Sequence, residues 1–67
     1  MKRLQLWEEV IGVPEKVEGN LIIFTSLGEV GIDDENILQK AKENIGKKIA
    51  ILRTDIEGKE YCWRVVE

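Results

Sequence analysis

Along most of this chain hydrophobic and polar residues alternate with a period of two, and one segment switches to a helical period. In "LQLWEEVIGV", Leu4, Leu6 and Val10 fall on one side of an extended chain, with Gln5, Trp7, Glu9 and Ile11 on the other. The pattern predicts a strand, with Gly12 at a bend or bulge. Leu4, Trp7 and Ile11 also recur at helical spacing before Gly12 and Pro14, so a helix over the first eleven residues is the alternative. "EGN", Glu18 to Asn20, supplies a glycine-first tight turn into "LIIFTS", a run too short for a helix and rich in β-branched and aromatic residues. Gly28 provides the positive φ of the next turn, and Val30 to Ile32 returns as a strand.

The helical period begins after Ile32. In "DENILQKAKEN" Asp33 is expected to cap the first free amides, and Asp34 and Glu35 place negative charge at the positive end of the helix dipole. Ile32 and Ile37 are spaced as a hydrophobic staple. Ile37, Leu38, Ala41 and Ile45 form the apolar stripe, and Gly46 ends the helix where a left-handed residue is required. "KIAILRT" then reads as a strand apolar enough to be covered on both faces, "DIEGK" as a turn, and "EYCWRVV" as a closing strand. Its Tyr61, Trp63 and Val65 share the inward face, with Cys62, Arg64 and Val66 opposite. The predicted fold is mainly β with one helix, in the order β-β-β-α-β-β, over a single domain spanning residues 1–67.

Sixty-seven residues allow one thin core, and 43% hydrophobic with 34% charged residues is the balance of a globular chain. No apolar run reaches the ~18 residues of a membrane span, and Glu8 and Glu9 interrupt any signal-peptide core, so a cytoplasmic protein without membrane association is expected. A single cysteine excludes an internal disulfide and a thiolate metal cluster. The absence of histidine removes the commonest general base, and no phosphate-binding glycine loop is present. These features predict a protein that is not an enzyme and uses no cofactor or metal.

Charge is unevenly placed. The net charge is −3, yet from Lys47 to Glu67 five basic residues face four acidic ones, against five and nine before them. Any basic face therefore lies on the C-terminal hairpin, through Lys48, Arg53, Lys59 and Arg64. Phe24 and Trp7 are the candidate stacking rings. Trp7, pointing outward beside glutamates, is equally a candidate protein-interaction residue. Asp33, Asp34 and Glu35 read as capping carboxylates rather than metal ligands, Glu8 with Glu9 as a solvated pair, and Cys62 as a small packing residue.

The order of elements resembles that of the oligonucleotide/oligosaccharide-binding fold, a five-stranded, partly open Greek-key barrel. An SH3-like barrel with a helical insert and an α+β sandwich are the alternatives. The resemblance implies a binding face on residues 20–26 and 30–32, flanked by loops near 13–19 and 55–58, and a function in binding single-stranded DNA or RNA. The competing expectation is a protein-interaction module or accessory subunit, self-associating or bound to another protein through Trp7 and a sheet edge.

Overall fold

The structure, a computed structural model, describes residues 1–66. It contains seven strands and one helix: β1 (Lys2–Arg3), β2 (Glu9–Gly12), β3 (Pro14–Glu18), β4 (Leu21–Phe24), β5 (Gly28–Gly31), α1 (Glu35–Glu43), β6 (Ile49–Arg53) and β7 (Tyr61–Val65). They form two sheets, one ordered β1-β5-β4-β3 and the other β2-β6-β7. Every pairing is antiparallel except that of β1 with β5.

The two sheets share one stretch of chain. Residues 9–12 pair with β6, and after Val13 residues 14–18 pair with β4. The bend between them depends on Gly12, where an added Cβ would stand 3.0 Å from Phe24 Cδ1 and 3.1 Å from Leu27 Cδ1. Phe24 is the largest fully buried side chain. The ring thus fills space that a side chain at the bend would need. Around it lie Leu4, Val10, Ile22, Val30, Ile32, Ile49 and Ile51, closed on one side by Ile37, Leu38 and Ala41 of α1.

The turns follow local chemistry. Gly19 adopts φ 58° in the two-residue loop that joins Glu18 to its partner Leu21, which is the expected glycine-first hairpin. Gly28 takes positive φ as the turn reading requires; Gly46 does so too, but α1 already ends at Glu43 with Asn44 as its cap, so Gly46 lies in the turn beyond rather than at the helix end. Asp34, not Asp33, caps α1: its Oδ1 accepts from Asn36 N at 2.9 Å and Ile37 N at 3.2 Å. Asp33 is drawn off by Arg3 Nη1 at 3.0 Å and Asn20 Nδ2 at 3.1 Å, so it ties β1 and the first hairpin to the start of the helix. The cap shifts by one residue, which puts Asp33 rather than Ile32 just before it, so Ile32 and Ile37 are buried in the core but do not form the expected staple.

Other expectations need correction. Residues 4–11 form neither a continuous strand nor a helix, because a turn at Gln5–Glu8 separates β1 from β2. That turn leaves Leu6 exposed while Leu4 and Val10 remain in the core. The segment expected as a loop near 13–19 is largely β3, and Ile45 lies past the helix end, exposed. Among the described residues the count is therefore seven strands rather than five. The expected closure into a barrel is not found: among the described residues no ladder joins β7 to β5 or β1.

Gly12→Ala should lower stability by about 1–3 kcal/mol, since exposed Leu27 can move aside but buried Phe24 cannot. Urea unfolding measures it, and an unchanged midpoint would show that the bend tolerates a methyl group.

Candidate functional site: a free sheet edge and an exposed tryptophan turn

In the β6–β7 ladder Ala50 lies opposite Arg64, Ile51 opposite Trp63 and Arg53 opposite Tyr61. Residues directly opposite share a face, so Arg53 and Arg64 lie on opposite faces of the sheet. Arg53 points inward and is half-buried. Its Nη1 lies 3.5 Å from Leu4 O and 3.4 Å from Tyr61 Oη, its guanidinium stands 5.2 Å from the Tyr61 ring centre, and its buried Nε has no partner. Arg64 points outward, exposed, 3.9 Å from Glu9. Lys48 precedes β6 at one end of the ladder, and Lys59 sits in the turn at the other. The four predicted cations do not converge on one groove.

The predicted rings separate as well. Phe24 is 1% exposed and is a core residue, so it has no face to offer a base. Trp7 is 56% exposed, as its outward assignment requires. It sits in the tight turn Gln5–Glu8, where Glu8 N donates to Gln5 O at 3.0 Å. Trp7 has φ 65°, the single non-glycine residue with positive φ among those described, at a position where such turns favour glycine. Four contacts hold it there. Trp7 N donates to Arg53 O at 2.6 Å, and Arg53 N donates to Glu8 O at 3.0 Å, extending the β2–β6 pairing into the turn. The Glu8 carboxylate accepts from Gln5 N at 2.9 Å and takes Lys2 Nζ at 2.7 Å. The Lys2 ammonium, then the Gln5 amide, holds its carboxyl below the ordinary value of 4.5.

The remaining candidate is main chain. Thr54 N donates to Glu60 O, and Val66 N donates to Lys48 O, both at 2.8 Å. In an antiparallel ladder these contacts fix the direction of every other amide: the even-numbered residues turn their N–H and C=O toward β6, and Tyr61, Trp63 and Val65 turn theirs away. Among the described residues no strand pairs with that outer side of β7. The inward Tyr61 and Trp63 rings pack against the core but remain half-exposed, with Lys40 Nζ 5.8 Å from the Trp63 ring centre. The outer face of the same sheet carries exposed Ile11 and Cys62 with half-buried Leu52. Cys62 is thus a surface residue rather than a packing one. A shallow groove of about 180 Å³ there is lined by Glu9, Ala50, Leu52, Cys62, Trp63 and Arg64.

Sequence reasoning expected a sheet edge but did not assign it to the last strand, because a closed barrel would have covered that strand. Its signal was present nonetheless: "YCWRV" contains neither lysine nor proline, two of the residues that commonly guard an exposed strand.

Among the described residues no group of three or more metal-ligating side chains is assembled, and no helix is long and apolar enough to cross a membrane. The molecule is a mainly β domain of two sheets with one helix, in which β7 is an edge strand of the three-stranded sheet. Residues 22–67, from within β4 onward, match the family model described as "Domain of unknown function (DUF272), C-terminal", and the chain belongs to that family. No curated protein and no solved structure matches it.

Two outcomes are expected at the Gln5–Glu8 turn. Both Trp7→Gly and Trp7→Ala delete the ring, but only glycine relieves the left-handed backbone, so Trp7→Gly should be the more stable by about 1 kcal/mol in urea unfolding. The reverse order would mean the turn is unstrained. Glu8, whose folded pKa is depressed, contributes stability above pH 4.5 that is lost as pH falls through its lower folded pKa. Glu8→Gln should therefore flatten the acid limb of a stability profile measured from pH 6 to pH 3, and an unaltered limb would refute the Lys2 and Gln5 contacts in solution.

Proposed function

We propose that this domain is a non-enzymatic protein-interaction module that accepts an extended segment of a protein along the free edge of β7. The observation that carries the reading is the outward direction of the Tyr61, Trp63 and Val65 amides and carbonyls with no strand beside them. Unpaired strand edges are templates for strand addition, in which main-chain hydrogen bonds supply affinity and flanking side chains supply selectivity. Here the flanking surface is Cys62, Leu52 and Arg64 on the outer face and the half-exposed Tyr61 and Trp63 rings on the inner one. Trp7 and Leu6 add exposed apolar surface at the same end of the three-stranded sheet as the Thr54–Glu60 turn.

The strand order supports an architecture akin to the oligonucleotide/oligosaccharide-binding barrel. The bent β2–β3 segment serves both sheets, a meander leads to a helix, and a final hairpin returns beside β2. Binding of single-stranded DNA or RNA, which that likeness suggests, has thinner support. The predicted cations are split between faces and ends, Phe24 is buried, and the net charge is −3. A non-enzymatic role is supported by the absence of histidine and by the small size of the groove at Cys62.

The test uses a random-peptide display library with the wild-type domain as bait, followed by amide NMR titration of the selected peptides. Shifts should centre on Tyr61, Trp63 and Val65. Val65→Pro removes a donor that faces solvent and so should leave the domain folded while abolishing those shifts. Failure to select any peptide, or shifts that survive Val65→Pro, would refute the edge as the docking element.

A further inference from the structure

We infer that the strand seated on the β7 edge is β7 of a second copy of this chain, antiparallel and centred on Cys62. The inference rests on the edge reading above and adds the identity of the partner, which the edge's own residues specify.

Antiparallel self-pairing permits several registers, distinguished by the residue at the two-fold axis. With Cys62 opposite Cys62 of the second copy, Tyr61 faces Trp63 and Trp63 faces Tyr61. These are residues whose amides and carbonyls point outward, so each pair exchanges both of its N–H···O bonds. On the outer face Glu60 then lies opposite Arg64, and Arg64 opposite Glu60. Glu60 still accepts from Thr54 N in the β6–β7 ladder, and its carboxylate, which accepts from Gly58 N at 3.1 Å in the adjoining turn, exchanges that exposed contact for Arg64 of the second copy on the face that alternation assigns to Cys62 and Arg64. Arg64 is free to re-pair, since its link to Glu9 is a 3.9 Å contact between exposed groups. On the inner face the half-exposed Tyr61 and Trp63 rings become cross-strand aromatic neighbours.

One register therefore satisfies hydrogen bonding, charge and ring packing together. Centring on Trp63 instead would set Arg64 against Cys62 and leave Glu60 opposite Val66. An unrelated partner would have to match an acid and a base placed symmetrically about one residue, whereas a second copy matches them by symmetry. The pairing joins the two three-stranded sheets into one and extends the exposed Ile11–Leu52–Cys62 surface across the axis.

The experiment is sedimentation equilibrium of the reduced wild-type chain up to ~1 mM, with Cys62 as a reporter of register. The expected result is a concentration-dependent dimer. Residues opposite each other at a pair that does not exchange hydrogen bonds have Cα atoms ~4.5 Å apart, within reach of a disulfide. Copper–phenanthroline with dioxygen, accepting the two protons and two electrons of the thiol pair, should then link the dimer through Cys62. Glu60→Arg should weaken dimerisation about tenfold by setting like charges opposite each other twice. Adding Arg64→Glu to that variant should restore it, which a fold defect would not allow.

A wild-type monomer throughout the range overturns the inference. So does a dimer that fails to cross-link at Cys62, or a charge-swapped variant no tighter than the single one. The peptide titration separates this failure from failure of the edge itself: a monomer whose Tyr61, Trp63 and Val65 amides still respond to selected peptides retains the docking edge and loses only the second copy.

Discussion

Everything in this fold depends on one close approach, that of the Phe24 ring to the bare backbone of Gly12. In a chain of this length there is not enough apolar surface for two independent cores. The two sheets must be stitched together by a segment that belongs to both, and residues 9–18 do so by bending at Gly12 and Val13. The bend turns β4 over β6 and lets Ile22, Phe24, Ile49 and Ile51 meet. Helix α1 then needs only a short apolar stripe to close the open side, and nine residues suffice for it.

The parts of the fold that local chemistry decides were legible in the sequence. Gly19, Gly28 and Gly46 mark turns that favour a left-handed residue, the last of them just beyond the helix, and the alternation in residues 61–65 gives the inward aromatic face correctly. What was not legible depended on distant partners. Asp33 and Asp34 are equivalent caps to a reader of the sequence, and the choice falls to Asp34 because Arg3 and Asn20, brought near by the fold, engage Asp33. Residues 4–11 alternate well enough for a strand, yet hydrogen bonds exchanged with the Arg53 main chain and an ion pair from Lys2 favour a turn, even at the cost of a left-handed tryptophan.

The site was less legible than the fold, for a related reason. Clustering cations along a sequence says little until the register between two strands is known, and here one pairing, Arg53 with Tyr61, is enough to send Arg53 inward and Arg64 outward. Likewise an edge is a property of the sheet as a whole. The residues 61–65 would read identically in a central strand, and only the absence of a neighbour among the described residues makes their main chain available.

The parallel pairing of β1 with β5 spans Lys2 and Arg3 alone and is fastened at the surface by Arg3 to Asp33. Such a short ladder with an exposed ion pair is among the cheapest parts of a small protein to open, far below the cost of global unfolding. When it detaches, β5 is left with an unpaired side, and the edge of the four-stranded sheet moves inward by one strand. The first few residues thus serve as a removable selvedge that covers the main chain of β5 for as long as the Arg3–Asp33 contact holds.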